Sequence, residues 1–99
     1  MEINEIKGES NIQLSVSGQV DTVTAPELQS NILTAFQKSK DVVLDLSGVA
    51  YMSSAGLRAL LIGQKTAQSK GGSMKVTGVQ EGVMKVFEMS GFVKVLTIE

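Results

Sequence analysis

The sequence of 99 residues contains neither cysteine nor histidine. Without cysteine, the chain can form no disulfide, no thiolate nucleophile and no zinc–thiolate site. Without histidine, it lacks the commonest general base and the commonest metal ligand of proteins. These absences argue against most enzyme classes. We therefore expect a protein that has no catalytic residue and needs no cofactor or metal ion.

Charge and aromatic side chains are also sparse. The net charge is −1, no basic block is present, and the only aromatic residues are three phenylalanines and one tyrosine. A nucleic-acid partner is therefore not expected, because such proteins need a basic surface or a stacking platform. No apolar run approaches the roughly 18 residues of a membrane helix. The first ten residues, MEINEIKGES, are polar, so we expect a cytoplasmic protein without membrane insertion.

The residues that are present fit one globular domain over residues 1–99, with 42% hydrophobic and 19% charged side chains. Ile12, Leu14 and Val16 alternate with polar residues, which predicts a strand with one buried face, closed by Gly18. Residues 2–6 are expected to form a shorter strand before it, joined by a turn.

A helix is predicted to begin after Thr24, which fits the N-cap, with Glu27 as its reciprocal capping residue and Pro26 in the first turn. The nearly continuous apolar run 42–46 predicts a strand covered on both faces. A second helix is expected from about Ser54 to just before the glycine pair at 71–72.

The second helix carries a row of small residues at helical spacing that would let it approach the sheet closely: Gly56, Ala59, Gly63 and Ala67. A strand is expected at 74–77, a third helix at about 80–90 with Gly91 as its left-handed cap, and a last strand at 95–98. The predicted order is β-β-α-β-α-β-α-β. This order indicates an α/β layer domain, whose mixed sheet of four to five strands is mostly parallel.

The stretch VVLDLSGVAYMSSAGLRALL passes from a strand to a helix through two adjacent serines, Ser53 and Ser54. These hydroxyls fit a helix cap, a nucleophile or a phosphorylation site. The nucleophile is disfavoured because no histidine base is available. Capping follows from ordinary helix physics, but one serine suffices for it. A phosphate at a helix N-terminus would be stabilised by the helix dipole and by free N–H groups.

In a parallel sheet, the loop that contains Asp21 and the loop that contains Ser54 should lie at the same edge. Asp45, inside its apolar run, is interpreted as a hydrogen-bonded structural residue, because a buried carboxylate needs partners. Arg58 shares the outward side of the second helix with Lys65. It is either part of a solvated face or a contact for a partner beside Ser54.

Three segments in this order resemble the STAS domains, specifically the stand-alone bacterial anti-sigma factor antagonists: GQVDTVTAPEL, VVLDLSGVAYMSSAGLRALL and VFEMSGFVKVL. The resemblance covers nearly the whole chain. It implies a protein that, when unphosphorylated, binds an anti-sigma factor with serine kinase activity and so releases a sigma factor. It also implies that a metal-dependent serine phosphatase restores the binding form. The sequence ends at Glu99, and we expect it to lack the C-terminal helix of many relatives.

On the register of the family motif, the resemblance implies phosphorylation at Ser54, with Ser53 as the alternative because it stands where relatives usually have aspartate. The residues expected at the partner surface surround this serine pair: Asp21, Thr22, Met52, Ser53, Ala55, Gly56 and Arg58. The alternative function is a non-switching STAS scaffold or sensor, or an accessory subunit of a membrane transport complex.

Overall fold

The structure, a computed structural model, describes residues 1–99 and contains five strands, three α-helices and one 3-10 helix. The elements are β1 (Glu2–Lys7), β2 (Ile12–Val20), α1 (Ala25–Lys38), β3 (Asp41–Met52), α2 (Ser54–Ser69), β4 (Ser73–Thr77), α3 (Glu81–Ser90), a 3-10 helix (Phe92–Lys94) and β5 (Thr97–Ile98). Their order is the predicted β-β-α-β-α-β-α-β.

The five strands form one sheet in the order β1-β2-β3-β4-β5. Only the opening pair, β1 and β2, is antiparallel, and the other three pairs are parallel. Each crossover through a helix therefore moves one strand further in the same direction. Right-handed crossovers of this kind place all three helices on one face of the sheet.

The one-sided arrangement corrects the prediction for the run 42–46. In β3, Val42, Leu44 and Leu46 are buried, whereas Val43 and Asp45 between them are only half-buried. The expectation of a strand covered on both faces is wrong, because no helix covers the second face. A nearly continuous apolar run therefore does not show whether one face or both faces of a strand are covered. In this run, the residues on the uncovered face are Val43 and Asp45, which is hydrogen-bonded.

The core lies between this sheet face and the helices and comprises 23 buried apolar residues. The small-residue row of α2 allows the close approach that the sequence predicted. At Gly63, a methyl group would lie 2.7 Å from Sδ of Met74 and 2.9 Å from Cγ2 of Ile32. A larger side chain here would require Met74 and Ile32 to move, or α2 to shift away from β4 and α1.

Two predicted helix ends are confirmed. Gly71 is left-handed, with φ of 69°, and the N–H of Gly72 donates to the carbonyl of Ala67 at 2.9 Å, which completes a Schellman cap. Gly91 ends α3 with φ of 80°. The last strand is shorter than the predicted 95–98, because the chain after Gly91 turns through the 3-10 helix first. Likewise, β2 continues two residues beyond Gly18.

Candidate functional site

The carboxyl-terminal half of β3 departs from regular pairing with β2. Ser15 lies opposite Asp45, but Ser17 lies opposite Gly48 and Gln19 opposite Tyr51. Since β3 advances three residues for every two of β2 in both intervals, it contains two β-bulges. At the first bulge, Oδ1 of Asp45 accepts the N–H of Ser47 at 2.9 Å. This confirms the structural interpretation of Asp45.

The bulges bring the ends of the two strands together. Val20 and Met52, the last residues of β2 and β3, are opposite each other, and the N–H of Ser53 donates to the carbonyl of Val20 at 2.8 Å. Asp21 follows Val20 directly. The β2–α1 junction (residues 21–24) and the β3–α2 junction (residue 53) therefore lie side by side at one edge of the sheet.

At the β3–α2 junction, the two serines are in different environments. Ser53 is half-buried and is the N-cap of α2, with its Oγ accepting the N–H of Gly56 at 3.4 Å. Ser54 is the first residue of the helix. Its side chain is exposed and makes no hydrogen bond within the chain. The first turn of α2 contains no acidic residue.

The β2–α1 junction has a stronger cap. Oδ1 of Asp21 accepts the N–H of Val23 at 2.9 Å and that of Thr24 at 3.0 Å. In return, Oγ1 of Thr24 accepts the N–H of Asp21 at 2.9 Å. The N–H of Thr24 and the other donors lower the pKa of the Asp21 carboxyl below its ordinary value, because they favour its charged form.

This geometry corrects the predicted start of the first helix. Thr24 makes no side-chain cap of its own to the helix and already has helical backbone angles, with φ of −92° and ψ of −21°. The reciprocal pair is Asp21 with Thr24 rather than Thr24 with Glu27. Both pairs are three residues apart in sequence, but the observed pair lies about one turn closer to the N-terminus than the predicted pair. Pro26 does lie in the first turn, as predicted.

The residues predicted for the partner surface divide into three groups, of which the first, Asp21 and Ser53, is half-buried and provides the caps described above. Thr22, Ala55 and Arg58 line one open groove of about 610 Å³ between α1 and α2. Met52 and Gly56 are buried and do not reach the surface. A methyl group at Gly56 would lie 2.7 Å from Cγ of Met52, so this glycine serves helix–sheet packing.

Sequence reasoning missed the α1 wall of this groove, which we call the α1–α2 groove. Seven α1 residues line it: Ala25, Pro26, Gln29, Ser30, Leu33, Thr34 and Gln37. Pro26, Gln29 or Ser30, Leu33 and Gln37 follow the spacing of one helix face. That periodicity was available in the sequence, but nothing in it shows which outward face lies beside α2.

Residues 2–99 match the family described as STAS domain. The chain belongs to the STAS domain family. An "Anti-sigma-B factor antagonist" of Bacillus subtilis (strain 168) is 29% identical to this STAS domain over 92 residues, which is 93% of this chain and 84% of the relative. An "Anti-sigma-B factor antagonist" of Listeria monocytogenes is 28% identical over 101 residues, covering 100% of this chain and 87% of the relative.

Solved structures show the same fold. An anti-sigma factor antagonist from Mycobacterium paratuberculosis superposes on the STAS domain with a TM-score of 0.87 at 24% identity, over 98% of this chain and 83% of that one. For the phosphorylated form of the Bacillus cell fate determinant SpoIIAA, the TM-score is 0.76 at 15% identity, over 99% of this chain and 91% of that one.

The lengths of the helices and the placement of the acidic side chains complete the description of this STAS domain. None of its helices is both long enough and apolar enough to cross a membrane. No three or more aspartate and glutamate side chains gather where they could hold a metal ion.

Proposed function

We propose that this STAS domain is an anti-sigma factor antagonist whose binding is switched off by phosphorylation of Ser54. The observation that carries the proposal is the environment of that hydroxyl. It is exposed on the first residue of α2 and makes no hydrogen bond, in a chain whose relatives are named anti-sigma factor antagonists. A solved phosphorylated form of SpoIIAA, which has the same fold, supports the same reading.

The geometry favours Ser54 over Ser53 as the acceptor. A kinase must bring the hydroxyl in line with the γ-phosphorus of ATP, so the side chain has to be reachable. The Oγ–P bond then forms as the bond to ADP breaks, and a base of the kinase takes the hydroxyl proton. Ser53 is half-buried and holds the N–H of Gly56, so its modification would cost the helix its cap.

Phosphate on Ser54 is compatible with the fold and incompatible with a docked partner. The dipole of α2 stabilises negative charge at its first residue, where no acidic side chain is present. In the complex, however, a charge of about −2 would appear within the interface and would need desolvation. The unmodified form therefore binds, and the phosphorylated form is released.

The proposed partners are an anti-sigma factor with serine kinase activity and a metal-dependent serine phosphatase that removes the phosphate. The proposed contact surface consists of Ser54 together with the exposed or half-exposed residues beside it: Asp21, Thr22, Ser53, Ala55 and Arg58. Met52 and Gly56 contribute by holding α2 on the sheet. Since Thr22, Ala55 and Arg58 line the α1–α2 groove, a partner segment bound there would contact Ala55, the residue next to the acceptor serine.

Binding of two Ser54 variants to the purified anti-sigma kinase of the same organism tests the proposal. We expect Ser54→Ala to bind persistently in the presence of ATP, and Ser54→Asp to lose at least tenfold in affinity, measured by calorimetry. Ser54→Asn is the matched neutral control for Asp and should bind like wild type. Equal affinities for Asp and Asn would favour the non-switching scaffold or transport-accessory alternative.

Phosphopeptide mapping after incubation with kinase and ATP tests the acceptor itself. We expect the label on Ser54 in the wild type, its loss in Ser54→Ala, and its retention in Ser53→Ala. Label on Ser53 alone would refute the assignment.

A further inference from the structure

Arg58 lies one helical turn after Ser54 on the exposed side of α2. Residues four apart on a helix are neighbours, with their Cβ atoms about 5–6 Å apart. Both side chains are exposed. The three ion pairs of the structure are Lys38–Glu5, Lys75–Glu99 and Lys85–Glu81, so Arg58 has no acidic partner.

The start of α3 shows what α2 lacks. Glu81 is the first residue of α3, and Lys85, four residues later, pairs with it at 3.7 Å between Nζ and Oε1. In α2, Ser54 occupies the equivalent first position and Arg58 the equivalent fifth position. Both helices therefore have a positively charged side chain at their fifth residue, but only α3 has a negatively charged side chain at its first residue.

Arg58 also has a place in the α1–α2 groove. It is the only charged residue among those that line the groove, which is otherwise formed by apolar, hydroxyl and amide side chains. A change in the position of the guanidinium therefore changes the charge that the groove presents to a bound segment.

We propose that phosphoserine 54 forms an ion pair with Arg58 along α2 and so withdraws the guanidinium from the α1–α2 groove. The proposal rests on phosphorylation of Ser54, as proposed above. The modification then acts twice on a partner: it adds negative charge at Ser54, and it removes from the groove the one positive charge available for an acidic side chain. Arginine suits this role because its planar donors match phosphate oxygens in pairs.

Titration of the phosphate by phosphorus NMR tests the pair without any partner protein. Phosphoserine is incorporated at position 54 during translation, and its second pKa, ordinarily about 6, is measured. Because a nearby cation favours the dianion, we expect Arg58→Gln to raise this pKa by about 0.3 of a pH unit. The carboxylates of Asp21 and Glu27, on the neighbouring junction and helix, act equally in every variant.

Lys65→Gln is the matched control, since it removes one positive charge from an exposed position of the same helix. Lys65 is eleven residues from Ser54, which is about 16 Å along the axis. That distance is about two Debye lengths at physiological salt, so its removal should leave the phosphate pKa unchanged. Equal shifts in Arg58→Gln and Lys65→Gln, or no shift in either, would overturn the ion pair.

The guanidinium provides a second readout. We expect the Nε–H resonance of Arg58 to move on phosphorylation and to titrate with the pKa of the phosphate; a resonance that stays constant from pH 5 to 8 contradicts the pair. These outcomes are separate from the proposed function. A kinase that does not phosphorylate Ser54 would refute the proposed switch without affecting this titration. A phosphate pKa that does not change in Arg58→Gln would refute the ion pair without affecting the proposed switch.

Discussion

The two strand-to-helix junctions at this edge of the sheet are neighbours with opposite designs. The β2–α1 junction is capped by the Asp21 carboxylate, which accepts two backbone N–H groups, and the N–H of Asp21 donates in turn to Oγ1 of Thr24. The β3–α2 junction is capped by the neutral hydroxyl of Ser53 in one long hydrogen bond of 3.4 Å. The N-terminus of α1 therefore has a negatively charged cap, and the N-terminus of α2 does not.

The first turns of the three helices extend this contrast. Glu27 lies in the first turn of α1 and Glu81 in that of α3, whereas α2 has no acidic residue there. Since negative charge at a helix N-terminus is stabilising, α2 is the helix that gains most from an added anion. The comparison shows that a negative charge added at the start of α2 would meet no acidic residue in the same turn, unlike one added to α1 or α3.

The largest effect on stability is expected from Gly56→Ala, because Gly56 packs against the last residues of both β2 and β3. A methyl group there would lie 2.7 Å from both Cγ1 of Val20 and Cγ of Met52, the residues that end β2 and β3. Such overpacking costs about 1–3 kcal/mol, more than alanine gains over glycine in a helix. We expect a lower free energy of unfolding in urea titrations.

Gly82→Ala in α3 is the matched control for this substitution. Its methyl group would meet only the carbonyl oxygen of Ala50, at 3.6 Å. We therefore expect Gly82→Ala to stabilise the protein by about 0.5 kcal/mol. Stabilisation by Gly56→Ala of similar size would contradict the close packing of α2 on the two strand ends.

A smaller effect is expected from removing the caps, and the two junctions should differ. Ser53→Ala should cost about 0.5 kcal/mol, the low end for an N-cap, since its hydrogen bond is long. Asp21→Ala should cost more, because the N–H groups of Val23 and Thr24 both lose their acceptor. The comparison is wrong if thermal melts rank the two variants in the reverse order.

The Asp21 cap also predicts a pH dependence. Because the folded state lowers the pKa of this carboxyl, its contribution is fully present above the unfolded pKa of about 3.9. It is lost as the pH falls through the lower folded pKa. Asp21→Asn keeps the acceptor oxygen without the charge, so the wild type should be the more stable of the two at pH 7. That advantage should shrink below about pH 4, in urea titrations at both values.

The smallest effect is expected from adding a charge at the β3–α2 junction. Relative to the neutral Ser54→Asn, Ser54→Asp should raise the free energy of unfolding by about 0.3–1 kcal/mol through the helix dipole. The gain should decrease in 1 M NaCl, because salt screens the dipole. Destabilisation by Asp at low salt would contradict a helix start that is ready to accept an anion.

Much of this fold could be predicted because local rules agreed with the tertiary outcome. The alternation of Ile12, Leu14 and Val16, the glycines at the ends of α2 and α3, and the βα order all acted through neighbours in sequence. The failures have a physical cause as well. The cap at Thr24 was placed one turn late, since both Asp21–Thr24 and Thr24–Glu27 satisfy the same three-residue spacing.

The candidate site was predicted in part for the same reasons. The serine pair is visible in the sequence, and the register of the family motif singles out Ser54. The different exposures of Ser53 and Ser54 depend on where β3 ends against β2. The point at which β3 ends depends in turn on the two β-bulges, which no local sequence pattern predicts.

The sequence by itself determined the element order, the absence of histidine and cysteine chemistry, and the position of two hydroxyls and an arginine on one helix start. Only the tertiary structure decided that helices cover a single sheet face, that Met52 and Gly56 are buried, and that Asp21 serves as a cap. It also decided that Arg58 faces a groove between α1 and α2. The physical reason is that periodicity and capping act within a few residues, whereas burial and grooves arise from segments that meet only after the chain has folded.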